Sequence, residues 1–349
     1  MGSVVIDLHL GPDEEMIRDT ARAFAQDRLA PAMRVHEGRG AVDVGLVRAY
    51  RVLGFAAMEA PATAGGQGAS PLAKALVLEE LGAGDAAAAF ALEGAGPALQ
   101  ALVELGETAL LRNLIADPHL RVGFVSDEEG RLALGPATVT GTHPWSPLPS
   151  RGCAAVVVVQ GEQMVLVRDG VDFVPVRPCG LAAAGACQLD FAAAPVVATT
   201  VDRAAAARAR AHARRFVAAL LVGLARTATD YAMRYAEGRV AFGRPIAHHQ
   251  GLAFLLADMA TAVEGARLAL WRAAVDGGEE DGGSRRAAWA LAEAAEQALF
   301  VGPSAVQVLG GHGFMKDHPV EKWMRDIRTL ALLGGGRDEA ELDAAAGEG

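Results

Sequence analysis

One connector between two helical patterns carries side chains that are suited to binding an anion. From residue 238 to residue 250 it reads Gly-Arg-Val-Ala-Phe-Gly-Arg-Pro-Ile-Ala-His-His-Gln. Gly243 and Pro245 interrupt the helix, and Arg239 and Arg244 each carry a planar fork of N–H donors that matches a phosphate group. The composition is therefore typical of a ligand-facing loop. A solvated loop between two helices is the alternative that composition alone leaves open.

A second stretch of the chain has closely spaced glycines. It runs from Gln307 to Phe314 and reads Gln-Val-Leu-Gly-Gly-His-Gly-Phe. Gly310 and Gly311 would let the backbone approach a phosphate or a ribose closely, because glycine has no Cβ. Taken alone, the same glycines would simply end a helix.

Both stretches resemble segments of the acyl-CoA dehydrogenase flavoprotein family. The first, continued by Leu-Ala-Asp-Met at 256–259, is similar to the family's Arg-x-x-Phe-Gly…Gln…Ala-Asp-Met segment. The second, continued by Pro-Val-Glu at 319–321 and Arg-Asp at 325–326, is similar to its next cofactor segment. The resemblance implies FAD as the cofactor, with Arg239 and Phe242 on its adenine half across a subunit interface. The further cofactor-binding residues that it implies are His249, Gln250, Gln307, Gly310 and Gly311.

A tryptophan in the middle of the chain is another candidate for contact with the flavin. The stretch Thr-Gly-Thr-His-Pro-Trp-Ser-Pro at 140–147 resembles the point where family members place an aromatic ring against the isoalloxazine. Trp145 is therefore predicted to bind the cofactor. The alternative is a tryptophan that packs under a proline-rich turn, since buried aromatic side chains are ordinary core material.

The carboxylate that the family's chemistry needs is missing from its expected positions. That chemistry is α,β-dehydrogenation of an acyl-CoA thioester, in which a carboxylate removes the α-proton while the β-hydrogen leaves as hydride to the flavin. The resemblance puts the base at Gly334 or, as in some members, at Ala213, and neither residue is an acid. No catalytic residue is therefore predicted. Arg214, which follows the second position, is predicted to bind substrate.

Two further features separate the chain from the family pattern. The usual Thr-Glu-Pro-x-x-Gly-Ser-Asp segment has no counterpart, and Phe-Val-Ser-Asp-Glu-Glu-Gly stands in its place at 124–130. Asp338 and Glu339 are the carboxylates nearest downstream of Gly334. They fall in residues 336–349, which are predicted to form a flexible tail and would hold catalytic geometry poorly.

Two main hypotheses about function follow. The first is an FAD-dependent acyl-CoA dehydrogenase that acts as one subunit of an oligomer, a homodimer or a tetramer, with an electron-transfer flavoprotein as electron acceptor. The alternative is a catalytically silent subunit that forms a heteromer with a full-length homologue and completes the partner's flavin site. A third reading is a helical interaction protein that has lost flavin.

The spacing of apolar residues changes along the chain and predicts an α+β fold that is mostly α. Apolar residues at helical spacing predict a helical domain over residues 1–120 and a four-helix bundle over residues 201–335. Between them, residues 121–200 contain five short β-rich runs, from Arg121 to Val176, and predict a small β-domain. This is the three-part architecture that the resemblance implies.

Composition excludes several classes of function. The chain has 349 residues, of which 52% are hydrophobic, and a formal net charge of −10, which argues against nucleic-acid binding. Its three cysteines lack paired spacing, so neither a disulfide framework nor a metal site is predicted. Residues 1–10 do not resemble a signal peptide, and the apolar stretch Ala86–Leu102 is predicted to be a buried helix and not a membrane span. A cytoplasmic location is expected.

Overall fold

The N-terminal unit is helical, as predicted. The structure, a computed structural model, describes residues 9–275 and 280–346. Pro12 and three acids occupy the first turn of the first helix, where the helix dipole favours negative charge. Ser70 caps the long fourth helix by accepting a hydrogen bond from the Ala73 N–H at 3.2 Å. The helices are α1 (Pro12–Phe24), α2 (Met33–Arg39), α3 (Val44–Val52), α4 (Pro71–Leu92), α5 (Leu99–Glu104) and α6 (Thr108–Ala116).

The middle unit is a seven-stranded sheet. Its strands are β1 (Arg121–Ser126), β2 (Leu132–Leu134), β3 (Thr138–Ser146), β4 (Cys153–Gln160), β5 (Gln163–Val167), β6 (Val171–Pro175) and β7 (Cys187–Val201). The order is β1-β4-β5-β7-β3-β2, and β6 also pairs with β7. β7 is not among the strands predicted from the sequence, yet it holds the sheet together by pairing with three strands. It contains Pro195, and a proline weakens the sequence pattern of a strand because it cannot donate a backbone hydrogen bond.

The C-terminal unit is a helical bundle. It consists of α7 (Arg203–Gly238), α8 (Gln250–Val275), α9 (Glu280–Leu309), α10 (Val320–Leu330) and α11 (Gly336–Ala345), with a small hairpin of β8 (Val240–Ala241) and β9 (Arg244–Pro245) between α7 and α8. By length and composition α7 could cross a membrane, but 72% of its most apolar stretch is buried inside the protein. It is therefore the core helix of the bundle, and the predicted fold class is confirmed.

The predicted flexible tail is wrong for most of its length. Residues Gly336–Ala345 form α11, which packs on α9 and buries Ala340 completely. Asp338 and Glu339 lie in its first turn, where acids stabilise a helix. Asp343 in its last turns pairs with Arg214 of α7 at 2.6 Å. These contacts order the segment as far as residue 346, and residues 347–349 lie outside the described part of the chain.

Two glycines let α4 and α7 pack against each other at close range. A Cβ at Gly82 would lie 2.8 Å from the Leu220 carbonyl oxygen, and a Cβ at Gly223 would overlap the Glu79 carbonyl. Two buried acids on α4 reinforce the contact. Glu80 accepts from Arg226 of α7 at 2.7 Å and from Arg22 of α1 at 2.9 Å, and Glu79 accepts from an arginine of α8. The position of α7 relative to the N-terminal unit is therefore fixed by backbone contact and by buried charge.

Gly223→Ala should destabilise the protein by roughly 1–3 kcal/mol, because the added methyl group forces the backbones of α4 and α7 apart. Gly265→Ala is the matched control, since it lies within α8 and a Cβ there meets only the Glu293 Oε1 atom at 4.0 Å. That change should stabilise by about 0.5–1 kcal/mol through helix propensity. Denaturant unfolding followed by circular dichroism measures both changes. Equal effects of the two substitutions would contradict the close packing.

Candidate active site

One cavity of about 350 Å³ collects residues that the sequence analysis singled out separately. Trp145 from the end of β3, Ala213 from α7 and Gly334 from the loop before α11 all line it. Its volume lies within the range of small-molecule binding sites. The two expected base positions and the predicted flavin neighbour therefore face the same space, although they are far apart in sequence.

Trp145 reaches this cavity from a strand and not from a proline-rich turn. It lies near the end of β3 and also packs partly against the main hydrophobic core. Beside it His143 lines the cavity, and burial lowers the pKa of this histidine, so its ring is neutral at pH 7. The tryptophan is half-buried, which leaves part of its ring available to a ligand.

Gly334 could not hold a glutamate without strain. Its φ of 69° is in the left-handed region that glycine favours, and a Cβ there would meet the Leu291 Cδ2 atom at 3.1 Å. Gly335 and Gly336 follow with φ of 93° and 75°. The loop is thus built for three consecutive glycines, and its backbone lines the cavity where other members of the resembled family carry a side chain.

A carboxylate that the sequence analysis placed in a tail lies at this cavity. Glu339 lines it from the first turn of α11, and its Oε2 atom lies 2.5 Å from the position that a Cβ of Gly335 would take. Burial, and next the negative charge of Glu128, raise the pKa of Glu339 to about 7. The sequence signal that could have found it is the start of a helix: acids directly after a glycine turn.

The prediction that Arg214 binds substrate is not supported by its position. Its side chain is 1% exposed and does not line the cavity. The guanidinium donates to the Gly334 carbonyl at 3.2 Å and to Asp343 at 2.6 Å, and it faces Glu339 at 3.5 Å. These contacts use its donors inside the protein. Arg214 therefore positions the glycine loop and α11.

The segment that replaces the family's Thr-Glu-Pro motif forms a tight turn at the cavity. Asp127 is buried and accepts hydrogen bonds from the Arg131 N–H, the Leu132 N–H and the Gln160 side chain. Its role is to hold this turn. Glu128 lines the same cavity and faces Arg210 of α7 at 3.8 Å. The turn thus brings negative charge to the cavity.

The connector after α7 presents its predicted ligand groups to solvent. Phe242 is 94% exposed and has a φ of 54°, which is unusual for a residue other than glycine. Arg239 is exposed as well, and in the described part of the chain no hydrogen bond or ion pair holds its guanidinium. His249 donates to the Ala241 carbonyl at 3.2 Å and braces the hairpin, with Gln250 exposed next to it. The arginine and the aromatic ring are therefore free to contact another molecule.

The second glycine stretch lies next to this connector. Tyr235, one turn before Arg239, hydrogen-bonds through its hydroxyl to His312 Nδ1 at 2.8 Å. Gln307, Gly310 and Gly311 are exposed, and nothing lies within 4 Å of a Cβ at either glycine. Packing leaves space for a side chain at both positions, whereas the φ of 58° at Gly310 is a left-handed conformation that favours glycine. The open backbone there is suited to close approach by a ligand.

The connector and the cavity lie at different ends of α7. Ala213 faces the cavity and Arg239 caps the C-terminus of the helix. At ~1.5 Å per residue the two Cα atoms are about 39 Å apart along the helix axis. An extended dinucleotide in the cavity would therefore not reach Arg239 of its own chain.

Known proteins match this chain over most of its length. Sequence models of the acyl-CoA dehydrogenase N-terminal and C-terminal domains match residues 11–116 and 203–347. An acyl-CoA dehydrogenase of Bacillus subtilis (strain 168) is 27% identical, over 94% of this chain and 96% of its own length. Butyryl-CoA dehydrogenase from Megasphaera elsdenii superposes with a TM-score of 0.83 at 22% identity, over 97% of this chain and 98% of that one.

A second solved structure has the same fold and contains a reduced flavin. It is a glutaryl-CoA dehydrogenase from Mycobacterium smegmatis in complex with FADH2, with a TM-score of 0.82 at 18% identity, over 96% of this chain and 94% of that one. The matched domains occupy both helical units, and the sequence relative extends across the sheet between them. The chain belongs to the acyl-CoA dehydrogenase family.

Proposed function

We propose that this protein is an FAD-dependent acyl-CoA dehydrogenase, which introduces a double bond between Cα and Cβ of an acyl-CoA thioester. The observation that carries the proposal is the cavity in which Trp145, Ala213 and Gly334 meet. By the resemblance, these residues correspond to the family's flavin neighbour and to the two positions of its base. The chain matches the acyl-CoA dehydrogenase of Bacillus subtilis over nearly the whole length of both proteins. This match favours an enzyme over a silent subunit.

The residues of the chain fit FAD in two places. At the cavity, Trp145 offers a half-buried ring for the isoalloxazine. At the connector, Arg239 offers an unpaired guanidinium for the pyrophosphate, and the open backbone at Gly310 and Gly311 permits close contact. When bound, FAD supplies the acceptor for a hydride. We propose that an electron-transfer flavoprotein then accepts the electrons from the reduced FAD. A cytoplasmic location is also part of the proposal.

The distance along α7 makes a second copy of the chain part of the site. A connector about 39 Å from its own cavity can serve only the cavity of a neighbour, given the rise of an α-helix. The same region exposes three phenylalanines, which an interface would cover: Phe242, Phe254 and Phe314. We therefore propose a homodimer, or a dimer of dimers, in which each copy holds the ADP end of the FAD bound by the other.

The first test is whether the purified chain binds flavin and reduces it with acyl-CoA. We expect a visible flavin spectrum after reconstitution with FAD, and bleaching when an acyl-CoA is added without oxygen. Mass spectrometry should find the matching 2-enoyl-CoA. A series of acyl chain lengths would identify the substrate. A chain that binds no FAD, alone or at high concentration, would reject the proposed activity.

Arg239→Ala should weaken FAD binding by roughly 10- to 100-fold, because a hydrogen bond to a charged group contributes about 1.5–3 kcal/mol. Flavin content after gel filtration and titration of the apoprotein with FAD measure the loss. Arg48→Ala is the matched control, since Arg48 is exposed on α3 and far from the connector in sequence. Unchanged affinity in Arg239→Ala would contradict its assignment to the pyrophosphate.

Mixing two defective variants tests whether the site is shared between copies. In a mixed dimer of Arg239→Ala and Trp145→Ala chains, one site carries both defects and the other carries neither. Random pairing makes half of the dimers mixed, and one of the two sites in each mixed dimer is intact. Flavin content and acyl-CoA bleaching should therefore recover toward about a quarter of the wild-type level after equal amounts of the variants are unfolded and refolded together. If Arg239 serves its own chain, every site keeps one defect and no recovery is expected.

A further inference from the structure

The proposed reaction needs a base, and the cavity has one carboxylate in a suitable place. We propose that Glu339, on α11, removes the α-proton of the acyl-CoA. This inference rests on the proposed function, and it replaces the glutamate that the family's pattern would put at Gly334 or Ala213. Gly334 and Ala213, which carry no acid, line the same cavity as Glu339.

The glycine loop leaves room for this carboxylate. The Glu339 Oε2 atom lies 2.5 Å from where a Cβ of Gly335 would be, so any side chain at 335 would displace it. Residues 334–336 all have φ between 69° and 93°, a conformation that glycine adopts without strain. The loop therefore has no side chains of its own, and the carboxylate of Glu339 from the following helix occupies the space next to its backbone.

Arg214 orders α11 without neutralising Glu339 fully. Its short contacts go to Asp343 at 2.6 Å and to the Gly334 carbonyl at 3.2 Å, whereas Glu339 Oε1 lies 3.5 Å away. Asp343 is thus the main ion-pair partner of the arginine. Glu339 is positioned by the helix that this pair anchors, and its side chain keeps 23% exposure for exchange of protons with solvent.

The charges around Glu339 come from three directions. Glu128 approaches from the turn between β1 and β2, Arg210 and Arg214 from α7, and Asp343 from its own helix. On α9, which also packs on α11, Glu296 pairs with Arg337, two residues before Glu339 and so on another face of the helix. Burial is the largest influence and raises the pKa of Glu339, Glu128 raises it further, and the result is about 7. A base with this pKa works well near neutral pH.

The other acids at the cavity are less suited to the role. Asp127 accepts three hydrogen bonds and is committed to its turn. Glu129 pairs with Arg131 and is largely exposed. Glu128 faces Arg210 and accepts from Ser126 at 2.9 Å. Glu128 is the main competitor for the role of base, and the experiment has to separate it from Glu339.

The proton and electron balance of the step is complete. The Glu339 carboxylate takes the α-proton, the electron pair of the Cα–H bond forms the Cα–Cβ double bond, and the β-hydrogen leaves with its electron pair as a hydride to FAD. The thioester is oxidised to the enoyl-CoA and FAD is reduced. Glu339 is left protonated and returns its proton to solvent.

Exchange of the α-hydrogen tests the base separately from oxidation. The FAD-loaded protein is incubated in D₂O with phenylacetyl-CoA, which has α-hydrogens but no β-hydrogen, and deuterium uptake is measured by mass spectrometry. We expect wild-type exchange to rise with pH around a midpoint near 7. Glu339→Gln should slow exchange and acyl-CoA bleaching by roughly 10²- to 10⁴-fold while retaining bound FAD.

Three further variants make the result specific. Asp338→Asn is the matched control, because Asp338 lies in the same first turn of α11 and is exposed, and it should exchange like wild type. Glu128→Gln should retain exchange with a lower midpoint, since it removes a charge that raises the pKa of Glu339. Glu339→Asp should retain part of the rate, and it also serves if Glu339→Gln does not fold.

The outcomes for the two proposals differ. Glu339→Gln that exchanges and bleaches like wild type, or a Glu339→Asp variant identical to wild type in rate and midpoint, would overturn the assignment of the base and leave the dehydrogenase proposal standing. Loss of exchange in Glu128→Gln alone would assign the base to Glu128. A wild-type protein that neither exchanges nor bleaches would reject the dehydrogenase itself.

Stability gives a readout that does not depend on activity. The pKa of Glu339 is raised in the folded state from an ordinary value of 4.5 to about 7. Its contribution to stability is therefore complete below about pH 4.5 and is lost as the pH rises through 7. Wild type should lose stability relative to Glu339→Gln over this interval in urea unfolding. A constant difference between the two proteins across the interval would contradict the raised pKa.

Discussion

One wall of the cavity depends on the contacts of the buried Arg214 guanidinium with Gly334 and Asp343. The guanidinium extends from α7 and binds both the carbonyl of Gly334 and the carboxylate of Asp343. A charge that is 1% exposed is stable only with such partners, and its partners are in turn held by it. Through this contact the glycine loop, α11 and the carboxylate of Glu339 take fixed positions relative to Ala213.

In the same wall, the proposed carboxylate comes from a different segment than the family pattern implies, but it lies in the same cavity. Gly334, Gly335 and Gly336 adopt a conformation that side chains tolerate poorly, so the loop itself cannot present an acid without strain. One helical turn later Glu339 enters the space that the glycines leave. A parallel replacement occurs on the sheet, where Asp127 and its three hydrogen bonds form a compact turn in place of a longer family segment. In both cases the residues present differ from the family pattern, and acidic side chains line the cavity.

The length of α7 separates the two halves of the proposed flavin site. Its N-terminal half lies against the cavity and its C-terminus carries Arg239, with Tyr235 joining that end to the second glycine stretch through His312. A continuous helix is stiff, so this separation cannot be closed by a loop movement within one chain. The glycine contacts between α4 and α7 fix the helix further. The proposed flavin site is therefore one that two copies of the chain would complete together.

The sequence by itself determined the family, the three-part fold and the residue types at both cofactor stretches, because these depend on local patterns: helical periodicity, glycine punctuation and the spacing of arginines and aromatics. It also determined that Gly334 and Ala213 carry no acid. Only the tertiary structure decided where other groups go. Arg214 points inward because two acceptors lie around it. β7 forms because three strands pair with it. Residues 336–345 form a helix because they pack on α9 and pair with Arg214. Glu339 entered the cavity for the same reason: its position depends on contacts between segments far apart in sequence, which no local pattern encodes.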